Sequence, residues 1–228
     1  MGNSDCEHIG QGLIGQPVNT LSSLACVVVG AVLLRRALAA REGARPVLTV
    51  YALIVAAVGF GSIVFHGSMP SWARLAHDLS ITSGLAFVIG YDVAFARRAT
   101  RRAGLVSSAG LVAASAVVLW LSPDASNALV SALVVAAVVA EVAAARSPAG
   151  RVVARDLVRA PCSWVVGVLA LGIGAALNAL GRTDAPLCEP DSLAQLHGVW
   201  HVLTAAVLWV YGITVLEPRE RARPIIRA

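Results

Sequence analysis

The chain has 228 residues, of which 57% are hydrophobic and 14% charged, with a mean hydropathy of +0.76 and a formal net charge of +5. That balance excludes an ordinary soluble domain, in which about a quarter of the residues are charged. All eighteen basic residues are Arg, and they sit in short links between apolar runs, a placement that does not describe a nucleic-acid-binding face.

The first residues, MGNSDCEHIG, carry no basic stretch ahead of an apolar run, so they do not read as a cleavable signal peptide, and the first apolar segment is expected to direct insertion itself. Cys6 stands where a myristoylation start would carry Ser or Thr. Seven apolar segments follow, at about 17–38, 47–66, 75–95, 103–122, 126–145, 161–181 and 193–216. Each matches the ~20 residues that cross the hydrocarbon core as a helix. The links are short and polar, so the expected architecture is all-α: a single seven-transmembrane-helix bundle over residues 1–228.

Arg placement gives an orientation. Arg35, Arg36, Arg41 and Arg45 fall in the first link, Arg97, Arg98, Arg101 and Arg102 in the third, Arg146, Arg151, Arg155 and Arg159 in the fifth, and Arg219, Arg221, Arg223 and Arg227 in the tail. Only Arg74 and Arg182 fall on the other side. Positive residues mark the cytoplasmic face, so the N-terminus is expected outside and the C-terminus in the cytoplasm. The all-Arg usage suits a bacterial chain of high GC content, and the expected location is its plasma membrane.

With that topology the polar groups can be given a depth. The second segment ends on Ser62 and His66, the third opens with His77 and Asp78, and the seventh carries His197 and His201. At 1.5 Å per residue all of these lie within ~10 Å of the outer boundary. His197 and His201, four apart, share one helix face. An ionisable group at membrane depth is a functional hypothesis by default. Zn²⁺ suits imidazole ligands, and a catalytic site keeps three protein ligands with one open position. His66, His197 and His201 are the expected set, with Asp78 to handle the proton of a bound water and Ser62 to support the developing oxyanion. His77 and Trp200 are read as supporting residues behind the ligands. Paired His on bundle helices also ligate haem iron, and intramembrane His can relay protons, so both alternatives stand at this point. A transporter finds less support, as no inverted repeat is evident.

Cys6 and Cys188 share the outer, oxidising side and are expected to form a disulfide, whereas Cys26 and Cys162 read as small core residues. Asp92 and Glu141 are expected near the cytoplasmic ends of their helices, snorkelling or pairing with the Arg-rich links. Asn178 is expected to line the pocket or cap its helix. Asn19, Thr20, Ser22 and Ser23 read as capping and packing residues, and Gly59, Gly61, Gly84, Gly172 and Gly174 as points of close helix approach.

Taken in order, the blocks Asp5-Cys6-Glu7, Gln16-Pro17-Val18-Asn19-Thr20-Leu21-Ser22, Ser62-x-x-Phe65-His66, Asp78 and His197-x-x-Trp200-His201 resemble the alkaline ceramidase branch of the membrane hydrolase superfamily that includes the adiponectin and progestin receptors. The S-x-x-F-H and H-x-x-W-H blocks are the specific part. The resemblance implies a seven-helix enzyme that hydrolyses the amide of ceramide, or of a related N-acyl lipid, to a fatty acid and an amine lipid. It implies zinc on His66, His197 and His201, with Asp78 and Ser62 in the roles above, and a counterpart of the Cys6–Cys188 disulfide. The implied partners are a lipid substrate and the bilayer, with no nucleic acid and no protein partner. A non-catalytic, zinc-containing receptor of the same superfamily is the alternative reading. Animal members carry a calcium site in an acidic N-terminal segment, with a Trp between the Asp and the Cys. Here Asp5 and Cys6 are adjacent and Gln16 replaces a Glu, which argues against Ca²⁺ and leaves Asp5, Glu7 and Asn19 as a candidate second cation site.

Overall fold

The computed structural model describes residues 5–156 and 163–227. Nine helices account for most of them: α1 (Pro17–Leu38), α2 (Arg45–His66), α3 (Ala73–Ala96), α4 (Arg101–Leu121), α5 (Ser126–Arg146), α6 (Pro148–Asp156), α7 (Ser163–Leu180), α8 (Leu196–Tyr211) and α9 (Glu217–Arg227). No strand occurs among the described residues. Proline at the first turn opens α1 and α2, where its missing N–H costs nothing. Thr100 caps α4 by accepting from the Ala103 N–H at 3.0 Å. Between such ends the runs of Ala, Val and Leu satisfy every backbone group internally, as hydrocarbon surroundings demand.

Among the described residues, six helices are long and apolar enough to cross a membrane: Pro17–Leu38, Arg45–His66, Ala73–Ala96, Arg101–Leu121, Pro123–Arg146 and Leu196–Arg223. Val165–Leu180 is a shorter apolar helix. The expected segment 161–181 begins, with Cys162, outside the described residues.

The helices pack α1 on α2 and α8, α2 on α3, α3 on α4 and α5, and α7 on α8. Glycine lets α1 and α2 touch backbone to backbone. A Cβ on Gly30 would lie 2.6 Å from the Ala56 nitrogen, and one on Gly59 would lie 2.7 Å from the Val27 nitrogen. Two of the expected glycine contacts are absent. A Cβ on Gly172 would meet nothing within 4 Å, and one on Gly84 would make only an ordinary 3.8 Å contact with Ile54. Tyr51, Val55, Phe87, Tyr91, Phe95 and Leu216 form the centre of the core, while Phe60, Trp120, Val135 and Leu169 point outward, as a lipid-facing surface requires.

One correction concerns the polar links, and it involves the tail beyond residue 216. The chain passes from α8 through a π-helical turn, Gly212–Leu216, straight into α9. Asp92 and Glu141 do not pair with the Arg-rich links. Both bind Arg219 of α9, through Nη1 at 2.8 Å from Asp92 Oδ1 and through Nη1 and Nη2 at 2.9 and 2.8 Å from Glu141. Tyr211 also donates to Asp92 Oδ1 at 3.0 Å. Next to it, Glu220 is bound by Arg101, Arg223 and the Tyr91 hydroxyl, and Arg223 donates to the Ala99 carbonyl. The bundle thus has an ionic pole, at the ends of α3 and α5 and the start of α4.

The opposite pole is closed by the N-terminal segment. Cys6 and Cys188 form the expected disulfide. The Cys6 N–H donates to Thr183 Oγ1 and the His8 N–H to the Pro190 carbonyl. Gln195 Nε2 donates to the carbonyls of Glu189, Pro190 and Ser192, which organises the loop that leads into α8. Residues 5–16 therefore lie as a strap across the end where α2 finishes and α3 and α8 begin.

Candidate functional site

Beneath that strap, three imidazoles meet. His66 is the last residue of α2, and His197 and His201 occupy successive turns of α8. All three are buried, and one ring nitrogen from each lies within 4.8 Å of the others. Ring centroids are 4.9 Å apart for His66 and His197, 5.1 Å for His66 and His201, and 4.6 Å for His197 and His201.

Hydrogen bonds set the tautomers. Gln16 Nε2 donates to the Glu7 carbonyl at 2.9 Å, which turns Gln16 Oε1 toward His66 Nδ1 at 2.7 Å. His66 must then carry its proton on Nδ1. His197 Nδ1 lies 2.7 Å from Asn178 Oδ1 and donates to it. His201 Nδ1 lies 2.9 Å from Ser22 Oγ, whose own hydrogen goes to the Asn19 carbonyl, so this nitrogen also donates. Each ring is left with a lone pair on Nε2. The Nε2 atoms of His66 and His197 face each other at 3.2 Å. Two lone pairs at that distance repel, and a shared cation removes the repulsion. Oxygen acceptors behind the distal nitrogens are also what orients imidazole ligands in metal centres. The donor set therefore fits a divalent ion held by three Nε2 atoms. A haem would need its two axial rings on opposite faces of a macrocycle, and rings gathered this closely leave no such gap.

Ser62 reaches the same point. Its Oγ is 3.2 Å from His201 Nε2 and 3.0 Å from Ser23 Oγ. Asp78 is engaged by neighbours on its own helix. Its Oδ1 accepts from His77 Nδ1 at 2.8 Å, and its Oδ2 lies 3.9 Å from Arg74 Nε. The ring that α3 brings near is that of His77, stacked on Phe65 at 4.6 Å and 6.1 Å from the His66 ring. Trp200 packs against Gly174 of α7, where an added Cβ would come 2.6 Å from its ring.

The acidic segment has another duty. Glu7 accepts from the Val18 and Asn19 N–H groups at 2.7 and 2.8 Å, one per carboxylate oxygen, and so caps α1. Asp5 lies 3.9 Å from His197 Nδ1. With both Glu7 oxygens engaged and the Gln16 amide nitrogen in place of a carboxylate, these residues fit a hydrogen-bonded strap rather than a calcium cage.

Three residues behind the rings were not assigned to the site from sequence, Gln16, Ser22 and Ser23, and a fourth, Asn178, takes the pocket-lining one of its two expected places. Ser23 joins Ser22 on His201, its Oγ 3.2 Å from Nδ1. The signal for the first three was spacing, because positions 16, 19, 22 and 23 recur at three and four residues along one face of α1.

No curated protein matches the chain. The sequence does match the ceramidase family over residues 7–220, from the cap of α1 to the ionic pole in α9 and through every residue of the three-imidazole cluster. With nearly its whole length aligned, the chain belongs to the ceramidase family.

Proposed function

We propose that this chain is a zinc-dependent membrane hydrolase that cleaves the N-acyl bond of ceramide, or of a related N-acyl lipid, to a free fatty acid and an amine lipid. The observation that carries the reading is the convergence of three buried imidazoles, each with its Nδ1 within hydrogen-bond distance of an oxygen and its other nitrogen free for an ion. In this reading α7 is the seventh crossing. Its 18 residues span about 27 Å, near the ~30 Å hydrocarbon thickness. The His pole then faces outward and the Arg-rich ionic pole faces the cytoplasm.

Zn²⁺ would be held by His66, His197 and His201, and when bound it supplies carbonyl polarisation and a nucleophile at neutral pH. The remaining work falls to side chains. Ser62 donates its hydroxyl hydrogen to the carbonyl oxygen as charge develops there. Asp78 holds the proton of His77 on Nδ1, which leaves Nε2 to take a proton from the attacking water and return it to the departing amine nitrogen. The strap over the site, fixed by the disulfide and by Gln16, limits access from the aqueous side. A substrate entering sideways keeps its tails in hydrocarbon throughout.

The test is elemental analysis of the purified protein together with hydrolysis of a panel of ceramides and other N-acyl lipids. Stoichiometric zinc with no cleavage of any amide would leave a receptor-like protein in place of an enzyme. Asp78→Asn is expected to retain zinc and lower kcat by about 10²-fold or more. Turnover close to wild type would assign the proton transfer elsewhere. Gln16→Leu removes the acceptor behind His66 and is expected to weaken zinc binding by about 10- to 100-fold in a chelator competition. Unchanged affinity would show that Gln16 serves only the strap.

A further inference from the structure

The Asn19 side chain is fully buried, and neither its Oδ1 nor its Nδ2 has a hydrogen-bond partner among the described residues. Its backbone is occupied, with the N–H given to Glu7 and the carbonyl accepting from Ser22 and Ser23. The carboxamide alone is left over. Burying such a group without a partner is costly, and it persists only where something offsets the cost.

Its position says what that something is. Gln16, Asn19 and Ser22/Ser23 follow one another at three- and four-residue spacing on one face of α1. Gln16 holds His66 and the two serines hold His201, so Asn19 is set between the supports of two of the three rings. A cation alone cannot satisfy it, because Nδ2 is a donor. A group that offers an acceptor beside a donor can. The scissile amide of an N-acyl lipid, with the hydroxyl neighbours of its head, is such a group.

We propose that Asn19 is a substrate-contacting residue: Nδ2 donates to the carbonyl oxygen of the scissile amide, and Oδ1 accepts from an N–H or hydroxyl of the same polar head. The assignment rests on the proposed N-acyl hydrolase reading and adds the group that reads the amide itself. Asn19 and Ser62 then approach the carbonyl from different helices, α1 and α2, and fix its direction relative to the three rings.

The test uses Asn19→Leu and Asn19→Ala in the full-length, zinc-loaded protein, with two uncleavable probes. One is a ceramide isostere with a ketone in place of the amide. The other has a methylene in place of the carbonyl as well. Wild type is expected to bind the ketone more tightly than the hydrocarbon isostere, and both variants are expected to lower that preference by about 5- to 10-fold, the remainder resting on Ser62 and the ion. Zinc content should hold, and the Leu variant should melt at the wild-type temperature or above, because an apolar side chain relieves a buried orphan amide. Hydrolysis should fall by about 10²-fold. A variant that keeps the full ketone preference, or that loses zinc along with it, overturns the assignment to Asn19 alone. A wild-type protein that binds neither probe overturns the N-acyl reading and this assignment with it.

Discussion

Replacing any one of His66, His197 or His201 with Ala is expected to strip zinc from the protein and lower hydrolysis by at least about 10³-fold, equivalent to ~4 kcal/mol of transition-state stabilisation. In the proposed centre each ring would supply one Nε2, and two imidazoles would leave the ion with half its usual tetrahedral shell. His201→Ala also leaves the Ser22 and Ser23 hydroxyls and Ser62 around an empty space, so no neighbour takes over. His8→Ala is the control, as His8 is exposed on the strap and distant in role from the three rings. Zinc stoichiometry by elemental analysis and turnover on a ceramide decide the matter. Full metal retention in all three variants would end the metal assignment.

Arg219→Ala should be the most damaging change remote from the His pole, costing about 3–5 kcal/mol. Arg219 is 4% exposed and Asp92 0%, and the guanidinium is the charge that compensates both Asp92 and Glu141. Its removal leaves Asp92 Oδ1 with the Tyr211 hydroxyl alone, while Asp92 Oδ2 has no hydrogen-bond partner among the described residues even with Arg219 present. The combined change Asp92→Leu, Glu141→Leu and Arg219→Met should recover much of the loss, since apolar packing replaces the buried group of charges at little cost. Arg36→Ala, which breaks the half-exposed pair with Glu217, should cost ~1 kcal/mol or less. Thermal melting in detergent separates the three, and zinc content should stay at wild type in all of them. A melting temperature for Arg219→Ala equal to that of Arg36→Ala would show that the ionic pole adds nothing to stability.

The spanning helices were legible because lipid imposes one long apolar run per crossing. The run read as 75–95 is the helix Ala73–Ala96, and that read as 126–145 is Ser126–Arg146. The His cluster was legible for a different reason: histidine is rare here, and His197 and His201 sit at helical spacing. What escaped was the partnership of polar groups far apart in the chain. Glu217–Arg227 carries six charged residues and two prolines, so local pattern gives it no reason to be helical. Its order comes from Asp92 and Glu141, which lie more than seventy residues away. Asp78 shares the depth of the rings, but depth does not fix rotation about α3, and the α3 ring that lies beside His66 is that of His77. Ser22 and Ser23 looked like packing residues because nothing local ties them to a histidine 178 or 179 positions later.

The π-helical turn at Gly212–Leu216 sets the angular phase between the two ends of the last long helix. One additional residue in a turn advances every later side chain by about 100° around the axis. Without it, a helix phased to aim His197 and His201 at His66 would swing Arg219 and Glu220 away from their acidic and basic mates. Chain length between residues 211 and 217 is therefore a constraint in its own right. A same-size substitution there leaves both ends engaged, whereas a one-residue deletion forces the helix to choose between them.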